Sequence, residues 1–380
     1  MRRLVLLLSA VVAVDTMFYT ALAPLLPHFA SRYGLGKGGA GVLAGLYAFG
    51  VLAASVPGGI AASRLGPKRA VLLGIALTSV ASLGFGLAGD KWTLGAARLA
   101  QGIGSAFSWA GALAWLVGAS PPQRRGTVIG TTMGAAVFGA LLGPVVGAVA
   151  TLAGVRTTFI GVSVAGFALL GWVAARPGTP AHPQPLSALR RADVRLLAAL
   201  WLLVLPAFLF GALDVIAPLH LHARGWGGVA IGAVFLVAAA LEAAMNPLLG
   251  RFTDRQGVTL PVRLALIGSI GVSLALAAAD APWIVAALLL VASVVYGTFF
   301  TPGMALVSDT AERNGISQGL VFGVMNGAWA VGNVIGPAAG GALAGSAGDG
   351  LSYLLLAAIC LATLAVAVTY SQPRLRPSSS

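Results

Sequence analysis

The chain contains an internal repeat whose two copies lie nearly half of its 380 residues apart. The pattern Gly-x-x-x-Gly-Pro-x-x-Gly at 139–147 appears again at 332–340, and Gly-x-x-x-polar-Arg-x-Gly at 59–66 appears again at 250–257. Ala-Pro-Leu at 23–25 returns at 217–219 with almost the same offset. These matches indicate that the second half duplicates the first. Because both halves are strongly apolar, we predict a duplicated membrane protein, an architecture typical of secondary transporters.

Composition favours a membrane fold. Hydrophobic residues make up 58% of the sequence and charged residues 9%, whereas soluble domains carry about 25% charged residues. Apolar stretches of about 20 residues, long enough to cross a bilayer, can be placed twelve times. The predicted fold class is an all-α polytopic membrane protein with twelve transmembrane helices in two pseudo-symmetric six-helix bundles. We assign 1–175 to the N-terminal bundle, 176–193 to a cytoplasmic linker and 194–380 to the C-terminal bundle.

The net charge of +13 reports membrane topology rather than nucleic-acid binding. With both termini in the cytoplasm, most of the 23 Lys and Arg residues fall in cytoplasmic segments and few in external loops. This distribution is the positive-inside bias of membrane proteins. We therefore expect a multi-pass protein of the cell membrane, embedded in the lipid bilayer, with both termini cytoplasmic and no nucleic-acid partner.

Four charged residues fall inside predicted spans: Asp15, Arg98, Asp214 and Glu242. Placing each of these charges at the centre of a membrane helix costs roughly 2.5–3.5 kcal/mol of insertion free energy unless the charge is paired or hydrated. We therefore regard these four residues as candidates for proton coupling. Two alternatives stay open: Arg98 could clamp neighbouring carbonyl groups, and Asp214 could lie near enough to the outer surface to be hydrated.

Polar and aromatic residues share helix faces with these charges. Steps of three and four place Ser105 and Trp109 on the face of Arg98, and Asn246 on the face of Glu242. Such faces are expected to line a water-accessible cavity between the bundles, although the Asn and Trp residues near 326–333 could equally serve helix packing. The predicted cavity residues are Phe18, Tyr19, Gln101, Ser105, Trp109, Asn246, Asn326, Trp329 and Asn333.

Three motifs carry a resemblance to a known family. They are Leu94-x-x-x-Arg98-x-x-Gln101-Gly102-x-Gly104, Gly139-x-x-x-Gly143-Pro144-x-x-Gly147, and Val14-Asp15-Thr16-Met17 followed by Pro24-Leu25-Leu26-Pro27. With these motifs the chain resembles the major facilitator superfamily along nearly its whole length, and within it the twelve-helix proton-coupled drug antiporters. The resemblance implies a role for Arg98 in proton transfer, and the second motif is the one associated with antiporters rather than symporters.

One loop departs from the family pattern. Ser63 stands where the family usually has Asp, while the repeat copy has Asp254. The usual electrostatic contact between the second predicted span and the C-terminal bundle is therefore expected to be weaker. We also expect the two proline-bent glycine faces to lie at the interface between the bundles. The residues assigned to conformational change are Ser63, Arg64, Gly66, Gly139, Gly143, Pro144, Gly147, Asp254, Arg255, Gly257, Gly336 and Pro337.

The predicted function is secondary active transport by alternating access, as proton-coupled efflux of a small lipophilic or cationic compound. Asp15, Asp214 or Glu242 would take the proton when the cavity faces outward. The proton is the coupling ion; no other cofactor, no metal and a monomeric state are expected. The alternatives are a proton-coupled importer of a sugar or organic acid on the same fold, and a non-transporting membrane enzyme or sensor. ATP-driven pumping by this chain alone is disfavoured because the sequence has no nucleotide-binding motif. An enzyme is disfavoured because no His or Cys lies suitably placed at membrane depth for a nucleophile–base pair or a metal site.

Overall fold

The computed structural model describes residues 2–121, 125–180, 194–313 and 318–371, and the regular elements within those ranges are all helical. Within these ranges, eleven helical segments are long and apolar enough to cross a membrane. With α1–α2 and α11–α12 each counted as one span, the helices make the predicted twelve, which confirms the all-α polytopic fold. The helices are α1 Arg2–Thr20, α2 Leu26–Tyr33, α3 Lys37–Arg64, α4 Pro67–Leu87, α5 Lys91–Ala119, α6 Arg125–Ala153, α7 Val155–Ala174, α8 Val194–Ala223, α9 Gly228–Gln256, α10 Thr259–Ala278, α11 Pro282–Gly297, α12 Phe300–Arg313, α13 Gln318–Ala347 and α14 Asp349–Ser371.

The two halves of the chain repeat one packing arrangement. In the first half α6 packs along α1 and α5 packs along α3; in the second half α13 packs along α8 and α11 along α9. We call the side where α1 begins the N-terminal face and the side where α3 begins the distal face. Most of the predicted linker 176–193 falls outside the described residues.

The first span is broken near its distal end. Pro24 has no backbone N–H, and a short 3-10 turn at Ala23–Leu25 separates α1 from α2. The last carbonyl groups of α1 therefore need partners from outside the helix. Because of this break, a side chain of another helix can bind the last carbonyl groups of α1.

The motif glycines pack inside each half, which corrects the expectation that they form the interface between the bundles. A Cβ added to Gly139 would lie 2.8 Å from the carbonyl carbon of Ala13, on α1. In the repeat copy, a Cβ at Gly336 would lie 2.9 Å from the carbonyl carbon of Phe208, on α8. Helical periodicity places these glycines on one face, but it does not say which helix that face meets.

The proline of the first motif explains one further contact with α1. Pro144 has no N–H, so the carbonyl of Ala140 loses its helical partner. The Thr20 hydroxyl donates to that carbonyl at 3.3 Å. A side chain at Gly143 would displace Thr20, because its Cβ would lie 2.7 Å from Thr20 Cβ. Gly147 continues the face against Ala21 and Pro24.

A different pair of glycines joins the two halves near the distal face. Gly41 of α3 lies on Pro337 of α13, where an added Cβ would be 2.9 Å from the proline carbonyl carbon. Gly232 of α9 lies on Pro144 of α6, where an added Cβ would be 3.0 Å from the carbonyl oxygen. Each motif proline thus presents its carbonyl to a glycine of the other half, and the halves are closed against each other on this side.

The repeated loops at 59–66 and 250–257 keep one backbone feature. Gly66 has φ 93° and Gly257 has φ 73°, values that residues with a Cβ rarely adopt. Ser63 donates to the carbonyl of Ile60 in its own helix at 3.0 Å. Asp254 and Arg255 are exposed, and Asp254 forms no ion pair within the described ranges.

Candidate functional site

A cavity of about 1630 Å³ lies between the two halves and is lined by residues of both. Its lining reaches Ser63 and Arg64, which end α3 on the N-terminal face. Because α3 meets α13 and α6 meets α9 on the distal side, the cavity is open toward the N-terminal face and closed toward the distal face. The four span charges Asp15, Arg98, Asp214 and Glu242 all line it.

Asp15 of α1 is held through one of its two carboxylate oxygens. Oδ2 accepts hydrogen bonds from Ser105 Oγ at 2.6 Å, Trp109 Nε1 at 2.8 Å and the Tyr47 hydroxyl at 3.2 Å. The residue is 4% exposed, and Oδ1 is buried with no hydrogen-bond partner in the described part of the chain. A buried polar oxygen without a partner is costly. The carboxylate is thus fixed in position by three donors while its second oxygen stays available to a proton.

Arg98 of α5 binds the broken end of α1. Its Nη1 donates to the carbonyl of Phe18 at 3.0 Å and to Gln101 Oε1 at 3.1 Å, and Nη2 donates to the carbonyl of Tyr19 at 3.4 Å. These carbonyls belong to the last turn of α1, which lacks helical partners. In this structure Arg98 therefore acts as the carbonyl clamp that the sequence left as an alternative, and among the described residues it forms no ion pair with a carboxylate.

Tyr47 of α3 connects these two groups and was not identified from the sequence. Its hydroxyl donates to Asp15, and its ring lies under the Arg98 guanidinium at 4.9 Å from the ring centroid. Its ring also contacts the Tyr19 ring, with centroids 5.3 Å apart. In the sequence, Tyr47 is a single Tyr in the middle of a span rich in Gly and Ala. That pattern does not distinguish a functional residue from one that only packs against a neighbouring helix.

Asp214 of α8 and Glu242 of α9 form an acidic wall on the other side of the cavity. Both are half-buried, and neither carboxylate makes a hydrogen bond or ion pair with the rest of the described chain. Glu242 packs on Gly297, where an added Cβ would lie 2.8 Å from the Glu242 Oε1 atom. The absence of a side chain at Gly297, the last residue of α11, therefore provides the space for the carboxylate. These two acids are available to a proton or to a cationic solute.

Most of the predicted cavity residues line the cavity, and two do not. Phe18 is buried in the core of the first half, and its carbonyl binds Arg98. Gln101 is fully buried, donates to Ser82 Oγ at 3.0 Å and accepts from Arg98. Both corrections have one cause, because each residue turns toward a helix of its own half. The predicted residues that line the cavity are Tyr19, Ser105, Trp109, Asn246, Asn326, Trp329 and Asn333.

Known proteins share both sequence and fold with this chain. A family model described as Major Facilitator Superfamily matches residues 8–322. A chloramphenicol resistance protein of Streptomyces lividans is 30% identical over 269 residues, which are 67% of this chain and 67% of that protein.

Two solved structures show the same fold. One, a bacterial homologue of the human lysosomal transporter Spinster in an inward-facing and unoccupied conformation, aligns with a TM-score of 0.79 at 16% identity, covering 97% of this chain and 96% of that chain. The other, a D-xylose–proton symporter, aligns with a TM-score of 0.76 at 14% identity, covering 96% of this chain and 95% of that chain.

Proposed function

Because the chain belongs to the major facilitator superfamily, we propose that it exports small lipophilic compounds, neutral or cationic, in exchange for protons. The protein is a multi-pass membrane transporter and not an enzyme, as its family and fold show. The finer assignment rests on one observation: three acids, Asp15, Asp214 and Glu242, line a single cavity that is open at one face only. Acids at membrane depth are typical of proton-coupled transport.

The orientation that we propose places the N-terminal face in the cytoplasm. The positive-inside bias of the basic residues supports this orientation, and with it both termini are cytoplasmic and the cavity takes solutes from inside the cell. We propose the cell membrane as the site of action and a monomer as the working unit, because each chain encloses its own cavity.

The transport cycle follows from the chemistry of the cavity. A solute entering from the cytoplasm displaces a proton from one of the acids, and the halves then rock to expose the cavity on the distal side. There a proton replaces the solute. A proton that re-enters down a potential of 100 mV supplies about 2.3 kcal/mol for each charge moved. Trp109 and Trp329 add aromatic surfaces that attract cations.

Efflux is favoured over import by the relative from Streptomyces lividans, whose name describes resistance to chloramphenicol. The alternative is a proton-coupled importer of a sugar or organic acid, the class to which the D-xylose–proton symporter belongs. At 14% identity that likeness shows the fold alone. Moreover, Asp214 and Glu242, whose carboxylates have no partner among the described residues, suit a cation better than an organic acid.

The decisive experiment measures solute-driven proton movement in proteoliposomes. We expect chloramphenicol or the lipophilic cation tetraphenylphosphonium to move protons in the direction opposite to the solute. Replacement of Asp15 by Asn should abolish proton-driven flux, whereas the matched replacement Asp90→Asn, on a loop outside the cavity, should leave it intact. Flux in the same direction as the protons would establish the importer. Wild-type flux in Asp15→Asn would remove Asp15 from the coupling mechanism.

A further inference from the structure

Among the described residues, two polar contacts join the halves across the closed distal side. At the surface, Lys37 of α3 pairs with Asp349 of α14, and His220 Nδ1 lies 3.2 Å from the other oxygen of Asp349. At the end of the cavity, the Tyr19 hydroxyl of α1 donates to Asn333 Oδ1 of α13 at 2.6 Å. Both contacts must break when the distal side opens, because their partners belong to opposite halves.

The two contacts differ in what can reach them. Tyr19, Asn333 and Trp329 all line the cavity, whereas Lys37 and Asp349 do not. The indole ring of Trp329 meets the Tyr19 ring edge to face, with centroids 5.1 Å apart. Asn333 Nδ2 donates to the Trp329 carbonyl at 3.3 Å, so the amide oxygen of Asn333 is fixed toward Tyr19. A solute in the cavity therefore touches the inner contact directly.

We propose that Tyr19, Asn333 and Trp329 form a gate that the transported solute itself opens. An N–H or O–H group of the solute replaces the Tyr19 hydroxyl at Asn333 Oδ1, and an aromatic ring of the solute replaces the Tyr19 ring on Trp329. Opening then loses no hydrogen bond at Asn333, because the solute keeps that oxygen satisfied as α1 and α13 separate. In the empty cavity only water can take these places, and water supplies neither an aromatic ring for Trp329 nor a donor held in position at Asn333, so the distal side stays closed and protons do not leak.

This gate mechanism rests on the proposed function, because it takes the cavity to be the place where the transported solute binds. It also predicts the chemical class of that solute. An aromatic compound that carries a hydrogen-bond donor should operate the gate fully. An aromatic cation that has no donor can occupy the acidic wall of Asp214 and Glu242, but it leaves Asn333 Oδ1 to be bound by water alone when the gate opens. Ethidium, with two amino groups, and tetraphenylphosphonium, with none, are probes of equal charge that differ in this property.

Gate opening can be measured by distances between spin labels on the distal face. Trp92 and Trp283 are exposed at the starts of α5 and α11, one in each half, and can be replaced by Cys after Cys360→Ser. Tyr19→Phe keeps the ring and removes the hydrogen bond, so the ratio of distal-open to distal-closed molecules should rise about fivefold without any solute. Tyr33→Phe is the matched control, since the Tyr33 hydroxyl donates to the Ala88 carbonyl within one half at 2.8 Å.

Asn333→Ala provides a second variant and should raise the same ratio. Equal distance distributions for Tyr19→Phe, Asn333→Ala and Tyr33→Phe would overturn the gate. In the unmutated gate, ethidium should increase the open population more than tetraphenylphosphonium does, and the difference should vanish in Asn333→Ala. Equal responses to the two cations would overturn the role of the solute. Because the distances require no proton gradient, these outcomes are independent of whether the protein couples transport to protons.

Discussion

Gly41 offers the sharpest test of how the distal side closes. Replacement by Ala adds one Cβ to α3, and this atom would lie 2.9 Å from the carbonyl carbon of Pro337 and closer still to its oxygen. The clash is with backbone, so no side-chain rotation can relieve it, and α3 and α13 must move apart. Forcing an extra methyl group into a well-packed contact costs about 1–3 kcal/mol.

That cost falls on the distal-closed state alone, because the two helices separate when the distal side opens. Since 1.4 kcal/mol is a factor of ten, the ratio of open to closed molecules should rise by a factor of roughly 5 to 150. Spin labels at 92 and 283 measure this ratio directly. Gly39→Ala is the control in the same helix, because its Cβ would meet only the Leu35 side chain, at 3.4 Å.

Gly232→Ala extends the series to the repeat copy. Its Cβ would lie 2.9 Å from Ala148 Cβ and 3.0 Å from the Pro144 carbonyl oxygen, so we expect a shift between those of Gly39→Ala and Gly41→Ala. If Gly41→Ala gave the same distances as Gly39→Ala, the contact of α3 with α13 would not determine closure, and the reasoning would be refuted.

Three further perturbations test other parts of the molecule. Asp214→Asn and Glu242→Gln should reduce transport of lipophilic cations by about tenfold more than transport of neutral solutes, since a lost charge-assisted contact is worth roughly 1.5–3 kcal/mol; equal losses for both solute types would indicate a structural role. Ser63→Asp should shift label distances across the N-terminal face toward the closed state, and Asp254→Asn should reduce transport more than Ser63→Ala, because contacts of a charged group are roughly twice as strong as neutral ones; unchanged distances would exclude Ser63 as a weak point of closure. The N–H groups of Thr93 and Trp92 donate to the Asp90 carboxylate and lower its pKa. The ionised carboxylate therefore stabilises α5 fully above the pKa of Asp90 in the unfolded chain, and this stabilisation is lost as the pH falls through the pKa in the folded protein. Thermal unfolding should therefore lose part of its acid sensitivity in Asp90→Asn, which still caps the helix, and unchanged acid sensitivity would contradict this assignment.

The fold was predictable because its signals are local and repeated. Apolar length identifies a span without reference to any neighbour, and the duplicated motifs indicate two equivalent halves. The span charges were equally visible, since an ionised group at membrane depth is rare enough to be noticed in one sequence. Because a charge facing lipid is costly, such residues face the interior, and Asp15, Asp214 and Glu242 all line the cavity.

What the sequence could not provide was the partner of each helix face. Gln101 shares a face with Arg98, Ser105 and Trp109, yet it points into the first half and binds Ser82. The glycines of 139–147 were correctly placed on one face and wrongly placed at the interface of the halves. Periodicity is a property of one helix, whereas a contact requires the position and rotation of two. Tyr47 was missed for the same reason, because its importance comes from what α1 and α5 bring to it.

The closure of the distal side at Gly41 and Gly232 has a consequence for how this protein can change. The contact at Gly41 is made by main-chain atoms of Pro337, and the contact at Gly232 by the Pro144 carbonyl and the Ala148 methyl group. These atoms are the same whatever other side chains surround the solute. Exchanging the residues that face the solute, apart from Tyr19, Asn333 and Trp329 of the gate, can therefore alter which compounds are accepted without loosening the barrier to ions. A transporter built in this way can acquire new specificities by single substitutions, and directed evolution of its selectivity should proceed through cavity positions while 41 and 232 remain glycine.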